Sequence, residues 1–246
     1  MAGSRGFPAA LLAIPFAVVL GVAVFLAYRL ATGGVGAVVS SLPLALALLY
    51  IAGVLGAYGV YVVLRRHAEH ERKMIGLYRV IADYLGSLGL RDIEVVELQR
   101  IVGRLRPTSG DGEPLRDALL VALFPPSIFY MLYRYNRLLY EHETASLEVL
   151  SRLAAIAEKH GVNVDIDTRR LVAERGPGAA AAAAATGGLL AILWAARLAR
   201  EAAGAMERNS RVEGVIARML ESLRVERPEL LRAPGGGGAV AQLRRR

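Results

Sequence analysis

Cysteine is absent from this chain of 246 residues, and lysine occurs only as Lys73 and Lys159. Without cysteine there is no disulfide framework, no thiolate zinc site and no cysteine-ligated iron–sulfur cluster. No glycine-rich phosphate loop follows a strand pattern, and none of the four histidines has the sequence context of a catalytic triad. We therefore expect a non-enzymatic protein that uses no cofactor.

Charged residues are scarce at the start of the chain, where residues 1–64 contain only Arg5 and Arg29. Hydrophobic residues make up 54% of the sequence and are concentrated in runs. A run of about 18 or more apolar residues is long enough to cross a membrane as a helix. Four segments fit this description, at residues 7–27, 35–64, 115–133 and 179–196. Their interiors lack ionisable side chains, which argues against a coupled transporter.

The sequence matches itself at an offset of 72 positions. Residues 58–71 and 130–143 share six of fourteen positions, including a Tyr-x-x-Tyr pattern, one arginine and the tripeptide Glu-His-Glu. A third match, at an offset of 135, aligns residues 81–88 with residues 216–223. These matches indicate an internal repeat in which an apolar segment is followed by an amphipathic helix.

The amphipathic helices carry apolar residues at helical spacing on one face. In the first repeat these residues are Met74, Tyr78, Ile81, Leu85 and Leu88, and in the second they are Leu147, Leu150, Leu153, Ile156 and Ala157. One helix cannot bury such a stripe alone, so we expect the three helices to pack on each other.

The sequence thus predicts an all-α integral membrane protein with four hydrophobic segments and three repeated units of membrane segment and amphipathic helix. The predicted divisions are a leading transmembrane span at 1–34, a first unit at 35–106, a linker at 107–114, a second unit at 115–175, a linker at 176–178, a third unit at 179–232 and a disordered basic tail at 233–246. A turn is expected at residues 32–34, where two glycines follow a threonine.

Two topologies fit this pattern. If every segment crosses the membrane, the units alternate between its two sides. If the amphipathic helices lie together, each segment turns back at an internal breaker, namely Gly53/Gly56, Pro125-Pro126 or Gly187-Gly188. We prefer four crossings, because a hairpin limb of about eight residues reaches only ~12 Å at 1.5 Å per residue. Gly53, Gly56 and Gly59, at every third position, would also suit a face where helices pack closely.

Three histidines form a candidate metal site. His67 and His70 are three positions apart on a predicted helix, and His142 lies in the second copy of the Glu-His-Glu motif. Imidazoles at this spacing, with carboxylates beside them, suit a transition metal. The alternative is a solvated polar face whose histidines and glutamates pair with nearby arginines. We prefer that alternative, because no further ligands complete the motif.

Tyrosines and arginines recur where the apolar segments end. At this depth both residue types typically anchor a helix at the membrane–water interface, and arginine can also hold a lipid phosphate. A ligand groove lined by tyrosines is the alternative interpretation. The predicted anchoring residues are Tyr58, Tyr61, Arg65, Tyr130, Tyr133, Arg137 and Arg200.

The order of apolar segment, Gly or Pro break, Tyr-x-x-Tyr, arginine and charged helix resembles uncharacterised small multi-pass membrane proteins of prokaryotes. Residues 56–61 and 126–130 carry this resemblance, although the Tyr-Trp that usually follows is absent here. The resemblance implies a multi-pass membrane topology and no particular activity.

These features favour an assembly or scaffold subunit of the cell membrane, whose partners are lipid and either another membrane protein or further copies of the same chain. The net charge of +8 lies partly in the C-terminal third, which fits a cytoplasmic tail. Acidic residues interleave with those arginines, so nucleic acid is not an expected partner. Two other functions stay open, namely a membrane metalloprotein that uses His67, His70 and His142, and a channel or passive transporter.

Overall fold

The computed structural model describes residues 10–87, 93–108, 110, 112–162, 166–186 and 188–226. Its elements are α1 (Ala10–Ser87), α2 (Ile93–Arg104), α3 (Glu113–Leu123), a 3-10 turn (Pro125–Ser127), α4 (Ile128–Lys159), α5 (Pro177–Ala185) and α6 (Leu189–Glu226). No strand occurs in these described residues, so the all-α prediction is confirmed. The predicted basic tail at 233–246 lies outside them.

Gly34 divides α1 into two helical limbs, at residues 10–33 and 35–87. Its backbone angles are φ +66° and ψ −164°, which are not helical. Glycine adopts this conformation readily because it has no Cβ, whereas other residues are strained there. The turn expected at residues 32–34 is therefore present.

The two limbs of α1 run antiparallel as a hairpin. Near the turn, Arg29 Nε donates a hydrogen bond of 3.0 Å to Ser41 Oγ. Farther from the turn, a Cβ built on Gly56 would lie 3.2 Å from Cγ of Pro15. Residues about equally far from Gly34 in the two directions thus meet, and the first two hydrophobic segments are the two limbs of one hairpin.

The chain forms two compact units, each assembled from three stretches of sequence. Unit 1 comprises Met1–Ala68, Ser109–Tyr140 and Val172–Ala203, and unit 2 comprises Glu69–Thr108, Glu141–Leu171 and Gly204–Arg246. Helices α1, α4 and α6 each contribute their first part to unit 1 and their last part to unit 2. The divisions expected from the sequence instead placed one unit after another along the chain.

α3 and the start of α4 form a second hairpin within unit 1. The 3-10 turn at Pro125–Ser127 separates them, as expected where two consecutive prolines interrupt a helix. Across this hairpin, Arg134 pairs with Glu113 at 2.7 Å and also with Asp117. The predicted break at the double proline is thus a turn that reverses the chain.

α5 and the start of α6 form a third hairpin within unit 1. Gly188 lies between the two helices with φ +95°, and Gly187, the other half of the predicted break, lies outside the described residues. At the open end of the hairpin, Arg175 Nη1 donates a hydrogen bond of 3.0 Å to Glu201 Oε2. The chain therefore turns at Gly188, one residue of the predicted break.

Gly53 and Gly56 do not break α1, so the prediction of a hairpin tip at these residues is wrong. The helix continues through both, and the turn is at Gly34. A Cβ on Gly53 would lie 3.1 Å from Cγ of Pro125, and a Cβ on Gly56 would lie 3.0 Å from Cδ1 of Ile128. The expectation of a closely packed helix face is confirmed at these two positions, because a Cβ there would lie closer to its neighbour than most Cβ atoms do.

The core of unit 1 draws on all three hairpins. The rings of Phe16 and Phe129, from the first and second hairpins, lie 5.2 Å apart. Other members of the same buried cluster are Val60, Leu64, Val121, Leu132, Leu139, Trp194 and Leu198.

The core of unit 2 combines the three amphipathic helices with α2. Ile81 of α1, Leu153 of α4 and Ile216 of α6 lie in one cluster, and each is at most 1% exposed. The predicted stripes are buried at Met74, Tyr78, Ile81, Leu85, Leu150, Leu153, Ile156 and Ala157, whereas Leu147 is half-buried and Leu88 lies outside the described residues. The three helices therefore pack on each other, as expected.

Candidate functional site

Large apolar side chains that are more than half exposed are concentrated in unit 1. On α1 they include Val24, Tyr28, Leu30, Val35, Val39, Leu44, Leu46, Tyr50 and Ile51, and on α3 and α6 they include Leu115, Leu119, Leu123, Leu189 and Leu193. Among the described residues of unit 2, only Ile93 and Val96 are of this kind. An apolar surface this extensive marks a region that contacts lipid or another protein.

One helix of the described chain, α1, is long and apolar enough to cross a membrane. Only 22% of its most apolar stretch is buried, so most of this apolar surface faces outward. α3 has 11 residues and α5 has 9, both shorter than a membrane crossing. The prediction of four membrane crossings is therefore not confirmed. The structure does contain a long apolar helix near the start of the chain.

Polar side chains bound the apolar part of the second limb of α1. Ser41 accepts the hydrogen bond from Arg29 at one end, and at the other end Arg65 Nη1 donates a hydrogen bond of 2.9 Å to the hydroxyl of Tyr61. Residues 42–64 between these ends contain no charged side chain. At 1.5 Å per residue, the helix from Ser41 to Arg65 extends about 36 Å, which is sufficient for a hydrocarbon core of about 30 Å.

All seven predicted anchoring residues belong to unit 1. The exposed ones are Tyr58, Arg65, Tyr130, Arg137 and Arg200, and the half-buried ones are Tyr61 and Tyr133. Arg65, Arg137 and Arg200 each lie three positions before the end of their stretch of unit 1. The three arginines thus lie at the same distance in sequence from the end of their stretch of unit 1.

Two ion pairs in unit 1 were not predicted from the sequence. Asp117, which is 2% exposed, pairs with Arg134, and Arg175 pairs with Glu201. The sequence did contain a signal for these pairs, because the two opposite charges of each pair lie at equal distances in sequence from the turn. Asp117 and Arg134 are each eight positions from the double proline, and Arg175 and Glu201 are each thirteen positions from Gly188.

Polar side chains also lie among the three amphipathic helices of unit 2. They are His70 and Glu71 of α1, His142 and Glu143 of α4, and Arg208 and Asn209 of α6. We call these six residues the polar layer. Buried charges are costly unless paired and hydrogen-bonded, so their partners determine what the layer contributes.

Both carboxylates of the polar layer have specific partners. Glu71 Oε2 accepts hydrogen bonds of 2.9 Å from the backbone N–H and the hydroxyl of Thr108. Burial raises the pKa of Glu71, and these hydrogen bonds oppose the rise. Glu143 Oε1 accepts a hydrogen bond of 2.9 Å from the N–H of Leu171 and lies 2.9 Å from Arg208 Nη1. The layer thus fastens two connecting segments to the helices.

The two histidines of the repeated Glu-His-Glu motif meet in the polar layer. The ring centroids of His70 and His142 are 5.7 Å apart, and Nδ2 of Asn209 lies 3.3 Å from Nε2 of His70. Burial lowers the pKa of His142 to about 4, and His70 and Arg208 add to this effect. Burial, with a smaller effect of Lys73, also lowers the pKa of His70. Burial therefore favours the neutral form of both rings.

The predicted metal ligands are divided between the two units. His67 belongs to unit 1, where it is buried with its ring edge-on to Tyr135 and the ring centroids 5.9 Å apart. His70 and His142 belong to unit 2. The described part of the chain has no group of three or more His, Asp or Glu side chains placed to hold a metal ion. The metal site stays a prediction.

Comparison with protein-family models, with curated proteins and with solved structures finds no match to this chain. The resemblance to small multi-pass membrane proteins of prokaryotes therefore stays a prediction. Function has to follow from the apolar surface of unit 1 and the packing of unit 2.

Removal of the Glu143 carboxylate is expected to destabilise unit 2. In a Glu143→Gln variant, Arg208 keeps its charge while its side chain is only 5% exposed. Breaking a buried pair from one side costs about 3–5 kcal/mol. Chemical denaturation of the full chain in detergent, followed by far-ultraviolet circular dichroism, measures this loss.

The matched control for that variant is Glu207→Gln. It removes the partner of Arg211 in an ion pair whose two side chains are 67% and 74% exposed. Exposed pairs contribute little to stability, so this variant should unfold like the parent. Equal unfolding curves for the Glu143 and Glu207 variants would contradict a stabilising buried pair.

Proposed function

We propose that this protein is a non-enzymatic integral scaffold of the cell membrane, with unit 1 embedded in lipid. The observation that carries the proposal is the exposed apolar surface of unit 1, on which Leu46, Tyr50 and Leu123 are 63%, 70% and 84% exposed. Moving apolar surface out of water is favourable by about 25 cal/mol per Å². A bilayer provides an apolar environment for the part of this surface that lies between the polar ends of the hairpins.

The hairpin of α1 is the part that we propose to cross the membrane twice. The charge-free stretch at 42–64 has the length that a bilayer requires, and polar residues bound it at both ends. Gly34 then lies on the side opposite to Arg65, together with Arg29. The hydrogen bonds from Arg29 to Ser41 and Ser40 support its placement at the membrane surface.

We propose that the hairpins α3–α4 and α5–α6 enter and leave the membrane on one face. The chain leaves unit 2 after Thr108 and returns at Glu141, then leaves after Leu171 and returns at Gly204. Helices that share one core lie on one side of a membrane. Each chain segment that connects two helices of unit 2 therefore begins and ends on the same side. With 11 residues, α3 extends only ~16 Å. Both observations favour the hairpin topology over four crossings.

The turns of these hairpins support the same placement, because backbone groups inside a bilayer need partners within the protein. Pro125 and Pro126 have no N–H to satisfy. The neighbouring N–H of Phe124 donates to the carbonyl of Leu120 at 2.8 Å, and that of Ser127 donates to the carbonyl of Phe124 at 2.9 Å. In the other turn, the N–H of Gly188 donates to the carbonyl of Ala183 at 3.2 Å.

Unit 2 is the part that we propose to act as the scaffold. Its apolar stripes are buried against each other, so its outer faces are free to present charged side chains to a partner. The polar layer and the connections at Thr108 and Leu171 favour one fixed arrangement of the helices. The proposed partners are another membrane protein or further copies of this chain.

Cysteine labelling is expected to support the hairpin topology. Because the chain has no native cysteine, each variant carries a single thiol at a known position. Single cysteines replacing Arg106, Thr168 and Ala217 sit at exposed positions in the three stretches of unit 2. In intact cells all three should be protected from an impermeant maleimide until lysis. A cysteine replacing Thr32, beside the turn of α1, should be labelled without lysis. Labelling of the residue-168 cysteine alone among the three unit 2 positions would support four crossings instead.

Native purification from membranes is expected to yield a homo-oligomer or a stoichiometric partner protein. Native mass spectrometry of the intact complex measures this. A Leu153→Asp variant places a charge in the core of unit 2, where Leu153 is 0% exposed, and should lose the partner while it stays in the membrane fraction. A strictly monomeric parent protein without a partner would count against the scaffold role.

A further inference from the structure

We propose that exposed arginines of unit 1 bind the phosphate headgroups of anionic lipids and select these lipids over zwitterionic ones. The arginine set comprises Arg65, Arg66, Arg116, Arg137, Arg197 and Arg200. This inference rests on the proposed membrane position of unit 1 and adds the chemical class of lipid that surrounds it.

All six members of the arginine set are exposed. Three of them, Arg65, Arg137 and Arg200, lie three residues before the end of their stretch of unit 1. Apolar helical residues precede each of these three, at 42–64, 128–133 and 189–196. A guanidinium in this position is at the depth where a lipid headgroup begins.

Unit 1 carries more positive than negative charge. Its described residues include nine arginines and four carboxylates, a net charge of +5. Three of the carboxylates, Glu113, Asp117 and Glu201, pair with the less exposed Arg134 and Arg175. Arg116 also contacts Asp117, and Arg197 also contacts Glu201. Each of these two carboxylates is therefore shared between an exposed and a less exposed arginine. This excess of positive charge favours an anionic lipid over a zwitterionic one.

The cation type also suits phosphate. Every cationic side chain in the described part of unit 1 is an arginine, whereas Lys73 and Lys159 both belong to unit 2. A guanidinium offers a planar pair of N–H donors that matches two phosphate oxygens, which an ammonium group does not. The guanidinium of Arg65 also lies 5.8 Å from the ring centre of Tyr61, which holds it near the end of the apolar stretch.

Lipid retention by the full chain tests the inference. The protein is placed in nanodiscs with equal amounts of phosphatidylglycerol and phosphatidylcholine, released gently, and its retained lipids are counted by native mass spectrometry. We expect phosphatidylglycerol to be enriched roughly fivefold or more. The triple variant Arg65→Gln/Arg137→Gln/Arg200→Gln should lose most of this enrichment.

The matched control is Arg100→Gln/Arg104→Gln/Arg218→Gln, which removes the same charge from exposed positions in unit 2. It should keep the enrichment. Equal retention of both lipids by the parent protein would overturn the inference, as would an equal loss in the two triple variants. Displacement of phosphatidylglycerol by inorganic phosphate would also overturn it, because the arginines would then hold a free anion.

Vesicle flotation separates this inference from the proposed function. If the parent protein floats with neither pure phosphatidylcholine nor mixed vesicles, the membrane position itself is wrong. If it floats with both and retains the two lipids equally, only the lipid selection is wrong.

Discussion

The shared apolar core of unit 2 constrains the path of the whole chain. Ile81, Leu153 and Ile216 come from stretches far apart in sequence, yet they are buried in one cluster. Burial of each such side chain contributes about 1.5–3 kcal/mol, and no single helix can achieve it alone. The sequence between the helices therefore has to leave this core and come back to it twice, which makes hairpins the natural form for the intervening segments.

The three hairpins of unit 1 use different backbone devices for the same result. The first turns at a glycine, the second at two prolines and the third at another glycine. Each is also bridged by a polar or charged pair that joins its two limbs, namely Arg29 with Ser41, Asp117 with Arg134, and Arg175 with Glu201. The turns set where the chain reverses, and the pairs hold the limbs in register.

Local patterns account for what the sequence predicted well. The helical stripe through Met74, Ile81 and Leu85 depends only on spacing along one helix, and its burial is confirmed. The turn at Gly34 and the interruption at Pro125 follow from the backbone chemistry of glycine and proline at those positions. Such features need no knowledge of distant residues.

Non-local packing accounts for what the sequence did not predict. The hairpin topology predicted breakers at Gly53 and Gly56, but Pro125 and Ile128 pack against these glycines and the helix continues. Arg208 was not identified as a partner of Glu143, because the third copy of the repeat lacks the Glu-His-Glu motif and the pairing arises only when α4 and α6 meet. Local spacing contains no information about such contacts.

The separation of His67 from His70 has a similar origin. The two histidines are less than one helical turn apart, and the sequence therefore placed them at one site. They belong to different compact units, and their rings have different neighbours, Tyr135 beside His67 and His142 beside His70. Spacing within one helix indicates which side chains share a face, but it does not indicate which partners that face meets.

Cross-linking in native membranes tests the shared core most directly. Cysteines replacing Leu153 and Ile216 are the only thiols in such a chain, and a short membrane-permeant bis-methanethiosulfonate can join them. If the helices share one core, mass spectrometry should detect a cross-linked peptide pair that joins positions 153 and 216. In the control, the second cysteine replaces Leu46 of α1 instead of Ile216, and no cross-linked pair should be detected. If both cysteines react after denaturation but never link in the membrane, α4 and α6 do not share one core, and the account is contradicted.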